Sequence, residues 1–300
     1  MLSGIIPPLP TPMTSDERLD VSALRRLVAY ELAGGVHGVW VLGTTGRFDL
    51  VADEDQRTTA EIVCDAVSGR IPVVVHVSDL GTRRTLRKAA RFDDLPVAAY
   101  AVMPPWFERY EREELLDHFR CLADGLARPL VIYSAEWICN LLSPDDVREL
   151  AQHPRIIGIK DTNPDFRRWR SWPSRERRSC GFSHLYGTDE IAGAAEAGAD
   201  GVVTGLAGVV PGLAVAAWTA AKAGHRAGAR ELQEQFGSAK RALEVGPVMV
   251  CLEAAFQWLG LCQFISGAPQ RTANASVRRK VGGFLRAAQL EPASSGVLTT

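Results

Sequence analysis

The 300 residues contain no Cys-x-x-Cys pair and no Cys/His cluster at metal-ligand spacing. Cys64, Cys121, Cys139, Cys180, Cys251 and Cys262 stand singly along the chain, which offers no zinc or disulfide framework and reads as reduced thiols. Net charge is nearly absent as well: 34 Lys and Arg face 35 Asp and Glu, so no global field draws in nucleic acid or anionic lipid. The opening MLSGIIPPLPTP has neither a basic region nor an uninterrupted apolar segment, so no secretory signal is expected, and a cytoplasmic location is. One stretch, 201–221, runs 21 residues without a charge, about the length of a membrane-spanning helix. Its Gly201, Gly205, Gly208, Pro211 and Gly212 instead spell a short strand, a turn and a helix after the proline.

What the chain does have is alternation. Apolar, β-branched runs at 4–9, 38–42, 71–77, 97–103, 129–134, 156–160, 182–186 and 201–204 alternate with helical-period segments. Those segments fall at 21–33, 53–67, 82–92, 112–123, 144–152, 164–178, 190–197 and 213–223. Ser143-Pro144 with Asp145 and Asp146 is an N-cap followed by a first-turn proline and two acids, while Gly34-Gly35 and Gly69 close their helices. Eight βα units predict the α/β class and a (β/α)8 TIM barrel over 1–224, with a doubly wound open sheet as the competing arrangement. After Gly224 the strand signals stop. Helices at 229–243, 248–261 and 275–288 predict a C-terminal three-helix extension over 225–300, serving as a second layer or an oligomer contact. Val248, Cys251, Leu252, Ala255, Phe256 and Leu259 give it one wide apolar face, and the closing EPASSGVLTT reads as a frayed end.

In such a barrel the carboxyl ends of the strands assemble the active site. Here they carry Gly43-Thr44-Thr45-Gly46, Met103-Pro104-Pro105-Trp106, Tyr133-Ser134, Lys160-Asp161, Gly187-Thr188 and Thr204-Gly205. Lysine is rarely buried, and a barrel interior disfavours its ammonium form, which leaves a neutral amine able to attack a carbonyl. That is Schiff-base chemistry, with Lys160 as the candidate nucleophile and Gly158, two residues earlier on the same face, leaving room for its side chain. Tyr133 could shuttle a proton if a hydroxyl such as that of Thr45 connects it to a relay. The GTTG turn offers two hydroxyls and approachable backbone N–H groups suited to a carboxylate, so a 2-oxo acid fits both elements.

GTTG after strand two, the tyrosine of VIYSAE and GIKDT on strand six resemble, in that order and over essentially the whole chain, the dihydrodipicolinate synthase and N-acetylneuraminate lyase family. The resemblance implies a barrel with a C-terminal helical extension, a Schiff-base lysine at Lys160, a proton-shuttling Tyr133, and Thr44 and Thr45 at the carboxylate of pyruvate or a related 2-oxo acid. It places Gly187 and Val203 near that acid and implies a homotetramer, or at least a homodimer, with no cofactor and no metal. The departures are informative. Arg47 stands where the family's GTTG is followed by glutamate, and MPPW puts Trp106 where a synthase has a relay tyrosine, which a tryptophan cannot replace as a proton carrier. SAEWICN, with Glu136, Trp137 and Ile138, lacks the arginine that grips an acidic aldehyde in the synthases. Trp106 and Trp137 therefore predict a pocket for a less polar or aromatic aldehyde, with Arg47 and Glu136 at its edge.

His76 reads as a hydrogen-bonded interior histidine, and the arginine-rich FRRWRSWPSRERR as a solvated outer face. The expected function is a lyase that makes or breaks a carbon–carbon bond between a pyruvate-type acid and an aldehyde. Its alternatives are a dehydratase or hydratase-aldolase using the same imine, and an inactive barrel that binds or regulates.

Overall fold

Proline and glycine decide how the sheet closes. The computed structural model describes residues 1–137 and 140–292; Ile138, Cys139 and most of the expected frayed end lie outside them. Its eight strands are β1 (Gly4–Ile5), β2 (Val39–Val41), β3 (Val73–His76), β4 (Ala99–Val102), β5 (Leu130–Ser134), β6 (Ile156–Asp161), β7 (Ser183–Tyr186) and β8 (Gly201–Val202). All pairings are parallel, running from β1 through β8 and down to β2. The ring closes where Leu9 N–H donates to Trp40 O (2.9 Å) and Trp40 N–H to Pro7 O (3.0 Å). The chain is thus a (β/α)8 TIM barrel and not an open sheet. The run expected as a strand over 4–9 shortens to Gly4–Ile5 because Pro7, Pro8 and Pro10 have no N–H for a ladder.

The helices are α1 (Val21–Ala33), α2 (Asp53–Val67), α3 (Thr82–Ala89), α4 (Arg112–Gly125), α5 (Pro144–Leu150), α6 (Ser174–Ser179), α7 (Ile191–Glu196), α8 (Gly205–Val209), α9 (Pro211–Lys222), α10 (Arg226–Lys240), α11 (Val248–Trp258) and α12 (Ala275–Ala287). The α5 cap is the expected one: Ser143 Oγ accepts from Asp146 N–H (3.1 Å), and Asp146 Oδ2 accepts from Ser143 N–H (2.8 Å). The stretch 201–221 divides into β8, α8 and α9, and among the described residues no helix is long and apolar enough to cross a membrane.

One expected helix, 164–178, is instead a 3-10 turn over Phe166–Trp169 followed by the short α6. Trp169 and Trp172 turn inward to bury their rings, which a single continuous helix on the surface would not allow, and Pro173 sits at the break. Its arginines are not all a solvated face either. Arg177 is buried, donating to Trp172 O and Gly198 O, and Arg178 pairs with the buried Asp200 at 2.7 Å.

Alternation along the strands makes two cores. Val39, Val41, Val73, Val75, Leu130, Ile132 and Ile159 face the helices, while Trp40, Val74, Ala101, Val131, Tyr133 and Leu185 fill the barrel. Lys160, two residues beyond Gly158, falls on the inner face, and its neighbour Asp161 on the outer.

Candidate active site

β5 and β6 run in register so that Tyr133 lies opposite Lys160. Lys160 is 5% exposed; its Nζ lies 3.9 Å from the centroid of the Tyr133 ring and 5.2 Å from that of Trp40. The side-chain nitrogen thus lies over two ring faces and lines the cavity at the barrel mouth. Asp161 anchors the same strand end from outside. Its Oδ2 accepts from Trp169 Nε1 (2.6 Å), its Oδ1 accepts from Asn163 N–H (3.1 Å), and Arg168 lies 3.5 Å away. Burial pushes the Asp161 carboxyl above the usual aspartate range, with Arg168 and the Trp169 hydrogen bond pulling the other way.

The hydroxyl beside Tyr133 is that of Thr44, with Oγ1 3.2 Å from Tyr133 Oη. The hydroxyl contact with Tyr133 that was expected of Thr45 is therefore made by its neighbour. Successive residues of the tight turn point different ways, and Thr45 Oγ1 faces Gly205 instead, 3.8 Å from where a Cβ on that glycine would stand. The turn is packed from beneath. A Cβ on Gly46 would come within 3.0 Å of both Leu42 and Leu9 O, and Thr11 Oγ1 donates to Gly46 O at 2.7 Å. Gly158 also has a different duty from the one expected. A Cβ there would meet Ser183 O at 2.6 Å, so its absence lets β6 and β7 approach; room beside Lys160 comes from Gly187, whose Cβ would lie 3.4 Å from Lys160 Cε and 2.5 Å from Thr162 Cγ2.

Two chambers open from this point. The first, of about 460 Å³, is lined by Thr44, Thr45, Tyr133, Lys160, Gly187 and Val203, the residues expected around a 2-oxo acid. Thr162, Thr188, Asp189 and Thr204 form a polar wall beyond them, and Met249 and Leu252 of α11 an apolar one. The second, of about 450 Å³, shares Thr44, Trp137 and Met249 with the first and adds Arg47, Phe48, Asp49, Met103, Trp106 and Gln270. Phe48 meets Trp106 edge to face at 5.9 Å. Arg47 turns both guanidinium edges to partners: Nε and Nη2 donate to the two Asp49 oxygens (3.0 and 2.8 Å), and Nη1 donates to Gln270 Oε1. The positive charge of Arg47 is thereby offset by one carboxylate, that of Asp49. Glu136 is exposed, accepts from Asn163 Nδ2 at 2.7 Å, and lines neither chamber. Among the described residues no group of three or more His, Cys, Asp or Glu could hold a metal ion.

Residues 1–288 match the model of the dihydrodipicolinate synthetase family. The chain belongs to that family. This family member is 32% identical over 266 residues to the 4-hydroxy-tetrahydrodipicolinate synthase of Cereibacter sphaeroides, covering 87% of this chain and 90% of that one. The dihydrodipicolinate synthase of Bacteroides thetaiotaomicron superposes with a TM-score of 0.89 at 31% identity, over 95% of this chain and 98% of the other. A monomeric dihydrodipicolinate synthase variant shares the fold, with a TM-score of 0.90 at 24% identity over 96% and 97% of the two chains. The protein is thus a lyase, a pyruvate-dependent aldolase of the Schiff-base class.

Several residues at this family member's site went unassigned in the sequence reading. Thr188 and Thr204 lie just beyond β7 and β8 and were within reach of the strand-end rule, and Asp189 follows Thr188 directly. Phe48, Met249 and Leu252 carried no such signal, because helical or loop hydrophobics announce burial without saying against what.

Proposed function

We propose that Lys160 is the imine-forming nucleophile of an aldolase joining a pyruvate-type acid to an aldehyde of low polarity. The observation that carries the proposal is the convergence of Lys160, Tyr133 and Thr44 at one end of one cavity. Lys160 Nζ attacks the 2-oxo carbon, and loss of water leaves an imine, which is protonated at the expense of the Tyr133 phenol. The electron pair of a C3–H bond flows into that iminium as the Tyr133 phenolate takes the proton, and Thr44 hydrogen-bonds the tyrosine oxygen throughout. The resulting enamine attacks the aldehyde carbon, whose oxygen receives that proton from Tyr133, and water then releases the product and restores the amine and the phenol. Thr45 and the GTTG backbone hold the acid's carboxylate, with Gly187 and Val203 flanking it. No metal or cofactor enters these steps.

The second chamber supports an apolar or aromatic aldehyde, since Trp106, Phe48, Trp137 and Met103 wall it and the only cation there, among the described residues, is the Asp49-bound Arg47. The polar wall of Thr162, Thr188, Asp189 and Thr204 supports a second reading, dehydration of a polyhydroxylated 2-oxo acid through the same imine. Incubation with pyruvate and a panel of aliphatic, aromatic and hydroxylated aldehydes, and separately with 2-oxo sugar acids, distinguishes them by product mass. A condensed product with the aromatic set supports the first reading; water loss at unchanged carbon count supports the second; neither would sink both.

We further propose a cytoplasmic homotetramer, or failing that a homodimer. Family likeness supports the assembly, although a monomeric relative exists. Among the described residues five cysteines are free of disulfides, which supports the compartment.

A further inference from the structure

His76 is the last residue of β3, fully buried and on the inner face of the barrel. Its surroundings fix its protonation. Leu42 O, 2.9 Å from Nδ1, can only accept, so the proton of the neutral ring sits on Nδ1. Nε2 is left as an acceptor, and Ser78 Oγ, which itself accepts from Met103 N–H at 2.7 Å, donates its proton to it at 2.6 Å. Burial, reinforced by Lys88 and Lys160, keeps the ring neutral far below the usual histidine range.

Leu42 immediately precedes Gly43-Thr44-Thr45-Gly46 and has φ +58°, a left-handed conformation that a leucine rarely adopts. Such strain persists only where the surroundings over-determine it. Leu42 lies at the end of β2 and Ser78 just beyond β3, while Met103 follows β4, so one imidazole ties together three neighbouring strand ends. The ring of Phe48, just beyond the turn, rests edge-on against the same imidazole at 4.5 Å.

We propose that His76 is a positioning residue for proton transfer: it holds the strained Leu42 carbonyl and thereby sets Thr44 against Tyr133. The proposal rests on the imine reading above. It assigns His76 no contact with substrate and no proton of its own to move. Lys160 stands on β6, across the barrel from the GTTG turn, so imine formation and proton transfer separate when His76 is altered.

The test compares His76→Leu, which keeps the volume and removes both hydrogen bonds, with His76→Gln, whose amide can donate to Leu42 O and accept from Ser78. The probe is pyruvate alone. Borohydride-trapped imine reads the Lys160 step, and deuterium entry into the pyruvate methyl group in D2O, followed by proton NMR, reads the Tyr133–Thr44 step. His76→Leu is expected to trap imine as the parent does while exchanging about tenfold more slowly or worse, as loss of a buried hydrogen-bonding partner implies. His76→Gln is expected to recover most of that rate. Parent-like exchange in His76→Leu overturns the proposal, and so does a parallel fall in imine and exchange, which would mark a merely structural residue. If the parent itself forms no imine with pyruvate, the imine reading fails. The crystal structure of His76→Leu then decides the positioning claim: an unmoved Leu42 and an unchanged Thr44–Tyr133 distance overturn it.

Discussion

At the scale of single residues, two buried polar groups, Tyr133 and Glu31, differ in what their oxygens meet. Tyr133 is fully buried, yet its hydroxyl meets Thr44 at the cavity wall, where an entering substrate can also reach it. Tyr133→Phe removes that hydroxyl and little volume. It should slow deuterium exchange into pyruvate by about 10²–10⁴-fold, the usual yield of a positioned acid–base group, with trapped imine still detectable. Equal loss of both signals would count against a proton-transfer role. Glu31, on α1, is the opposite case: both its oxygens are buried without a hydrogen bond, and burial alone pushes its carboxyl well above its reference value of 4.5. Its pKa is higher folded than unfolded. Stability is therefore complete below about 4.5 and declines as pH rises towards the folded pKa, because only the unfolded chain can ionise freely. Glu31→Gln should remove that decline, so its thermal midpoint should gain on the parent's from about pH 5 to about pH 8 in a calorimetric series. A constant difference across the series would contradict this. The lysine of IIGIKD, the tyrosine of VIYSAE and GTTG were legible in the sequence because strand ends in a barrel converge. Which GTTG hydroxyl meets Tyr133 was not, since that depends on the dihedral angles of a turn containing a left-handed Leu42.

At the scale of elements, the strand and helix pattern was legible down to the α5 cap, because period and capping are local properties of the chain. What escaped was tertiary. The segment 164–178 has helical composition, but Trp169 and Trp172 gain more from burial against the barrel than from an unbroken helix, and tertiary packing overrides propensity. Gly158 was legible as a glycine on the inner face, but its reason lies on the neighbouring strand. Gly158→Ala brings a Cβ to 2.6 Å from the Ser183 carbonyl, and a backbone atom cannot swing aside as a side chain can. The expected cost is about 1–3 kcal/mol of stability by denaturant unfolding, as for other overpacked sites. A change indistinguishable from zero would mean that β6 and β7 separate without penalty.

At the scale of the molecule, the site needs parts distant in sequence: Gln270 holds Arg47, and α11 supplies Met249 and Leu252 to the chamber walls. We therefore propose that 225–300 is an extension completing the catalytic barrel of 1–224. Its assembly is a separate matter, checked by light scattering on the purified full chain. A mass of four times 32.6 kDa is expected; twice that unit mass would leave the homodimer, and a single unit would contradict both.

The central claim is that Lys160 is the nucleophile. Reduction with sodium borohydride in the presence of pyruvate, followed by peptide mapping, tests it most directly. The account predicts one pyruvate-derived adduct, on the peptide carrying Lys160, and none in Lys160→Met. An adduct on Lys88, Lys222, Lys240 or Lys280 in its place, or no adduct with pyruvate or any other 2-oxo acid, would contradict it.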